Sequence, residues 1–109
     1  MKEAAQCTFA AYREAETVIH RFRNLLDVLF VEYDVLLTPS VPDEAPEGLV
    51  NTGDSTFIRI WTALHAPTVN LPVFKGEKGL PMGLQVIGPI GEDQHTLACS
   101  EWIYRTLTA

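Results

Sequence analysis

Residues 61–89, WTALHAPTVNLPVFKGEKGLPMGLQVIGP, constrain this chain most. Two short apolar runs, 68–73 and 82–87, are each preceded by a proline, and Gly88-Pro89 closes the second. Apolar runs of this length, bounded by turn residues, read as buried strands. The link between them, Lys75-Gly76-Glu77-Lys78-Gly79, is too short for a parallel crossover, which needs roughly a dozen residues or more. The two strands are therefore expected to pair antiparallel. Gly83 and Gly88 suit close backbone approach or unusual dihedrals at the ends of a buried strand. Gln85 is the one polar side chain in the second run, and a buried amide needs hydrogen-bond partners. Contact with a substrate is the alternative reading of Gln85.

The rest of the chain supplies helices and one more strand. Residues 3–32 predict a single long amphipathic helix, with Ala15, Val18, Ile19, Phe22, Leu25, Leu26, Leu29 and Phe30 recurring at helical spacing. Glu16 and His20 lie four apart on its polar face, as do Arg23 and Asp27, and such pairs can meet in solvent. Residues 34–39, DVLLTP, read as a short strand covered on both faces. Residues 39–53 carry Pro39, Pro42, Pro46, Gly48 and Gly53 among acids and predict an exposed connection, with a pocket rim as the alternative. Asp54 or Ser55 can cap a second helix, on which Phe57, Ile60, Trp61 and Leu64 form an apolar face before Pro67. Asp93 is expected to cap a last helix to about Leu107, with Leu97, Ile103, Tyr104 and Leu107 facing inward. The order α-β-α-β-β-α predicts an α/β layered fold, one domain over residues 1–109, with a small mixed sheet of about three strands flanked by helices.

Composition narrows the function classes. A formal charge of −6 argues against a nucleic-acid surface, which relies on Lys and Arg to neutralise phosphates. Cys7 and Cys99 both fall on predicted helices, outside any CxxC or Cys/His motif, and are expected to be buried free thiols. His20, His65 and His95 lack ligand spacing, and phosphate-binding glycine loops are absent, so no metal or cofactor is expected. The N-terminal residues do not read as a signal peptide. No run approaches the ~18 apolar residues of a membrane span. A cytoplasmic location is the expectation.

In order and spacing, these pieces resemble the closing portion of the amidase signature family of serine hydrolases, over roughly residues 9–107. The resemblance rests on a long helix leading into YDVLLTPSVP, on FIRIWTALHAPTVNLPV, and above all on GLPMGLQVIGP followed by an acid-started helix. It implies an amidase signature-like layered fold. It also implies a parent activity, amide hydrolysis through an acyl-serine intermediate formed by a serine nucleophile, a second serine in a cis peptide and a lysine base. No catalytic residue transfers to this chain, which has neither a Ser-Ser nor a Gly-Gly pair. Ser40, Ser55 and Ser100 are scattered, and Lys2, Lys75 and Lys78 sit at a terminus and in a turn. An exposed lysine is protonated near neutral pH and cannot serve as a base.

The resemblance also sets the second helix and the Thr-Pro loop near the substrate cleft. Phe57 and Trp61 are on that ground the candidate pocket residues, with a core position as the alternative for Trp61. His65 stands where relatives often carry a small residue such as glycine. The expectation is a C-terminal fragment of an amidase, inactive alone, whose apolar surface meets the missing N-terminal catalytic part or a second copy of itself. The alternatives are a non-catalytic α/β interaction module and the corresponding piece of a glutamyl-tRNA amidotransferase A subunit.

Overall fold

The computed structural model describes residues 2–109, in the order α1 (Lys2–Ala5), α2 (Phe9–Glu32), β1 (Leu36–Pro39), α3 (Thr56–Leu64), β2 (Thr68–Lys75), β3 (Pro81–Ile87) and α4 (Asp93–Thr108). The single helix expected at the start is broken at Gln6 and Cys7. Thr8 takes an extended backbone and its hydroxyl accepts the N–H of Ala11 at 3.1 Å, so α2 starts afresh from a side-chain cap.

Only part of the apolar stripe on α2 is covered. Leu26 is buried and Ile19 and Phe30 are half-buried, whereas Val18, Phe22, Leu25 and Leu29, about a quarter-turn away, are exposed. Arg23 falls on the covered side and reaches α3 rather than Asp27. Its Nε donates to the carbonyl of Leu64 at 3.1 Å and a terminal nitrogen to that of Ala63 at 3.3 Å. A guanidinium here satisfies carbonyls left free at the C-terminus of α3 and complements its dipole. Glu16 pairs with Arg13 at 3.2 Å rather than with His20.

The three strands lie in the order β1-β3-β2, and β3 is antiparallel to both neighbours. The sheet is thus wholly antiparallel, not mixed. β1 and β2 do run in the same direction, but the tight turn after β2 folds β3 back between them and no parallel ladder forms. Pro39 and Pro72 both fall on edge strands, where a missing N–H need not cost a ladder bond. The β2–β3 register shifts between Leu71 and Phe74, around Pro72.

Alternation along β3 divides the core. Leu84 and Val86 point to one face, where Val86, Leu71 and Ile103 of α4 form the buried cluster with Val69 and Val73 against it. Gly83, Gln85 and the fully buried Ile87 have the opposite parity. α4 meets the sheet through Thr96, Ser100 and Ile103, whereas Leu97, Tyr104 and Leu107, expected to face inward, are exposed. Small side chains let the helix close in. A Cβ on Gly88 would lie 1.7 Å from Thr96 Oγ1, so only glycine admits this approach. The two buried hydroxyls donate back to α4 and its cap, Thr96 to the Glu92 carbonyl at 2.9 Å and Ser100 to the Thr96 carbonyl at 2.7 Å.

The result is a slab of 50 × 41 × 17 Å with a radius of gyration of 16.4 Å, against about 13 Å for a compact chain of ~100 residues. Its accessible surface is 8,518 Å², where a closed monomer of 12.1 kDa would show roughly 6,000 Å². The excess includes large apolar side chains, among them Phe9, Phe22, Leu25, Val28 and Ile60. Among the described residues, no helix is long and apolar enough to cross a membrane.

Candidate functional site

Polar side chains converge on the Gln85 face of the sheet. Thr38 of β1 and Asn70 of β2 are both cross-strand partners of Gln85, so the three share one parity. Gln85 is buried, and its Nε2 donates to the Thr38 hydroxyl at 3.1 Å and to the backbone carbonyl of Phe57 at 3.0 Å. The Thr38 hydroxyl in turn donates to the Pro39 carbonyl at 3.1 Å. Gln85 thereby fastens the first turn of α3 to the edge strand through the middle of the sheet. Its predicted need for partners is met by protein groups.

Ser40 extends this pattern one step beyond β1. Its N–H donates to the Gly83 carbonyl at 2.9 Å, and its buried hydroxyl donates to Asn70 Oδ1 across Gly83. A Cβ on Gly83 would lie 1.8 Å from that Oδ1 and 2.7 Å from Ser40 Oγ, which explains the glycine by close approach. The loop that follows is more than a solvated link. Glu44 accepts the N–H of Lys78 in the β2–β3 turn at 2.9 Å, and its carboxylate lies where a Cβ on Gly76 would be, 1.9 Å away. Between loop and turn opens a cleft of about 430 Å³, walled by Pro42, Glu44, Asn51, Asp54, Lys78 and Pro81 among others. The residues at 39–53 do form the rim of a concavity.

At the start of α3, Asp54 accepts from the hydroxyl and the N–H of Thr56. Those bonds, hydroxyl first, and the charge of Arg59 hold its carboxyl below the usual aspartate value. The helix ends on His65, at φ 58° and ψ 29°, in the left-handed region. Its N–H donates to Thr62 and that of Ala66 to Trp61, the Schellman pattern whose left-handed position normally falls to glycine. A glycine would take this backbone without the strain that a side chain brings.

What the site can do chemically follows from the partners of its hydroxyls. Ser40 donates to an amide oxygen, Ser55 accepts from Arg59 at 2.8 Å, and Ser100 donates to a backbone carbonyl. Each serine is engaged with a group that cannot take its proton, so none is an activated nucleophile. Phe57 and Trp61 lie on α3, Phe57 37% exposed and Trp61 half-buried, and neither lines the loop cleft. Of the apolar face expected on α3, only Leu64 is buried, and Ile60 is open to solvent.

Two groupings escaped the sequence reading. Asn70 becomes visible as Ser40's partner only once strand register is known. The cysteines are the second case. Cys7 is exposed in the break before α2 and Cys99 is partly exposed, so neither is a buried thiol. Cys99 Sγ lies 3.6 Å from His95 Nε2, which also contacts the Asp34 carbonyl at 3.2 Å. Their i, i+4 spacing on α4 was the available signal.

Comparison with known proteins is consistent across sequence and structure. The sequence profile of the amidase family matches residues 1–97. The glutamyl-tRNA(Gln) amidotransferase A subunit of Wolinella succinogenes is 38% identical over 95 residues, 81% of this chain and 21% of that protein. Fatty-acid amide hydrolase 2 of Homo sapiens is 27% identical over 109 residues, 97% of this chain and 20% of that protein. The crystal structure of an amidase superposes with a TM-score of 0.79 at 32% identity, covering 92% of this chain and 26% of the other. The chain spans about a fifth of the length of these curated relatives. With its profile, its relatives and its fold in agreement, the chain belongs to the amidase family.

Proposed function

We propose that this chain acts as the C-terminal portion of an amidase that hydrolyses carboxylic amides through an acyl-serine intermediate. The nucleophilic serine, the second serine and the lysine base come from an N-terminal part, and the chain alone does not turn over substrate. It contributes β-strands and one wall of the substrate cleft, with Phe57 and Trp61 on that wall. The observation that carries this reading is the uncovered surface. The accessible area of 8,518 Å² exceeds that of a closed monomer by roughly 2,500 Å². An excess of that size matches the area one side of a large permanent interface buries. The engagement of all three serines with non-basic groups supports the absence of turnover. A cytoplasmic location fits this reading.

The test is a sensitive hydrolysis assay on small amides, with the chain alone and mixed with a separately produced N-terminal part of an amidase. No turnover alone and recovered turnover on mixing, with the two parts co-sedimenting, is the expected result. Activity of the isolated chain that survives rigorous purification would sink the proposal. The 38% identity to an amidotransferase component favours a second reading, the corresponding piece of a glutamyl-tRNA amidotransferase. Capture of the other components of such an amidotransferase by the reassembled chain separates the two. Self-association of the chain without any N-terminal part would favour a non-catalytic interaction module, and sedimentation at several concentrations reads it.

A further inference from the structure

We infer, resting on the reading that an N-terminal part completes this chain, that the exposed side of α2 seats an amphipathic helix of that part, packed along it as a two-helix coiled coil. Ala11, Ala15, Val18, Phe22, Leu25 and Leu29 follow one another at intervals of four, three, four, three and four residues. That is the a/d spacing of a coiled-coil seam, kept over about 27 Å of helix. All six are exposed, Leu25 at 54%. The covered side of α2 is a different stripe, holding Ile19, Arg23 and Leu26. The helix thus carries two faces suited to packing, and the described residues fill one.

Size and charge say what fits the other. The two alanines at the N-terminal end of the seam leave room for large side chains of a neighbour, whereas Phe22, Leu25 and Leu29 require smaller ones. Glu14 and Arg21 flank the seam on one side, seven residues apart, and among the described residues neither makes an ion pair. The partner helix therefore carries a basic side chain opposite Glu14 and an acidic one opposite Arg21. A second copy of the chain meets this pattern badly. The antiparallel register that sets Leu29 against Ala11, Leu25 against Ala15 and Phe22 against Val18 brings Arg21 beside its own copy, near the twofold axis. Like charges so placed repel. The chain spans about a fifth of the length of its relatives, so the larger part of such a protein is available to supply the helix. The excess surface of roughly 2,500 Å² is the size of a permanent interface.

Reassembly of the chain with a separately produced N-terminal part of an amidase is the test, read as a binding constant by sedimentation alongside recovered turnover. Leu25→Glu should weaken assembly by about tenfold or more. Val31→Glu, on the far side of α2 and 85% exposed, should leave it unchanged. Phe22→Lys repeats the test at the neighbouring seam position, and circular dichroism checks that each variant keeps its helices. Arg21→Glu should weaken assembly less, and most at low salt. A photo-crosslinking amino acid in place of Arg21 should attach to a segment whose apolar residues recur at alternating intervals of three and four. Assembly of both seam variants as tight as that of the unaltered chain overturns the inference, and so does an equal loss from Val31→Glu or attachment to a strand or loop. Recovered turnover in those cases leaves the amidase reading standing. Failure of the unaltered chain to assemble removes both. A dimer of the isolated chain that Leu25→Glu abolishes would overturn the partner helix in favour of a second copy.

Discussion

The side-chain amide of Gln85 donates to the backbone carbonyl of Phe57 at 3.0 Å, joining the central strand to the first turn of α3. The same nitrogen holds the Thr38 hydroxyl, so one buried group ties three elements. Gln85→Leu keeps the volume and loses both bonds, and is expected to cost about 1–3 kcal/mol. Gln85→Glu should cost more, because a buried carboxylate cannot donate to a carbonyl. Thermal unfolding followed by circular dichroism ranks the two. A Gln85→Leu variant as stable as the parent would show that the amide does not fasten α3.

His65 invites a gain rather than a loss. Its left-handed backbone at φ 58° costs a side-chain-bearing residue about 1 kcal/mol or more. His65→Gly should raise the melting temperature by about 5 °C, less whatever the added freedom of the unfolded chain takes back. His65→Ala keeps a Cβ and should bring no such gain. Equal melting temperatures for the glycine and alanine variants would contradict the backbone explanation.

Gly83 and Asn70 form a coupled pair. Gly83→Ala places a Cβ 1.8 Å from Asn70 Oδ1 and should destabilise by about 1–3 kcal/mol through overpacking. Asn70→Ala removes the obstruction, and the double variant should recover part of the loss. A double-mutant cycle by chemical denaturation measures that coupling, and simple additivity would argue against the close approach.

Glu44 fastens the cleft loop to the β2–β3 turn through the Lys78 N–H at 2.9 Å. Glu44→Ala should free residues 45–53 and speed their proteolytic cleavage several-fold, with little change in global stability. Unchanged cleavage kinetics would show that the loop is held elsewhere, at Ser40 and Asn70.

Asp54 gives a pH signature. Its folded-state carboxyl lies below its ordinary value of 3.8 because Thr56 donates to it and Arg59 is near. A depressed carboxylate contributes stability above its unfolded value and loses it as pH falls through the folded one. The start of α3 should therefore loosen only in acid, below the ordinary aspartate range. The carboxyl chemical shift of Asp54 followed through an NMR titration should show its midpoint displaced downward, and Asp54→Asn should abolish the acid-side change.

Much of this molecule was set by local chemistry that a sequence displays. The strand pair and its tight turn, the helical period read over residues 3–32, which the structure interrupts before Phe9, and the requirement of Gln85 for partners all depend on neighbours within a few residues. Gly83 and Gly88 were legible as sites of close backbone approach or unusual dihedrals, and the structure decides for close approach, by side chains rather than backbone. Asn70 and Thr96 supply those side chains, from another strand and from a helix.

The amino-acid sequence by itself determined the family and most of the elements, because motifs and periodicity need no partner to be read. Tertiary structure alone decided that β3 lies between β1 and β2, that α2 covers Leu26 and leaves Leu25 open, and that Arg23 turns to α3. It also brought His95 to Asp34 across 61 positions of chain. The physical reason is common to these cases. An apolar stripe specifies that a face should be buried but not against what, since the hydrophobic effect is non-directional. Register and crossing geometry select among the available partners, and the open part of α2 marks where the described residues contain none.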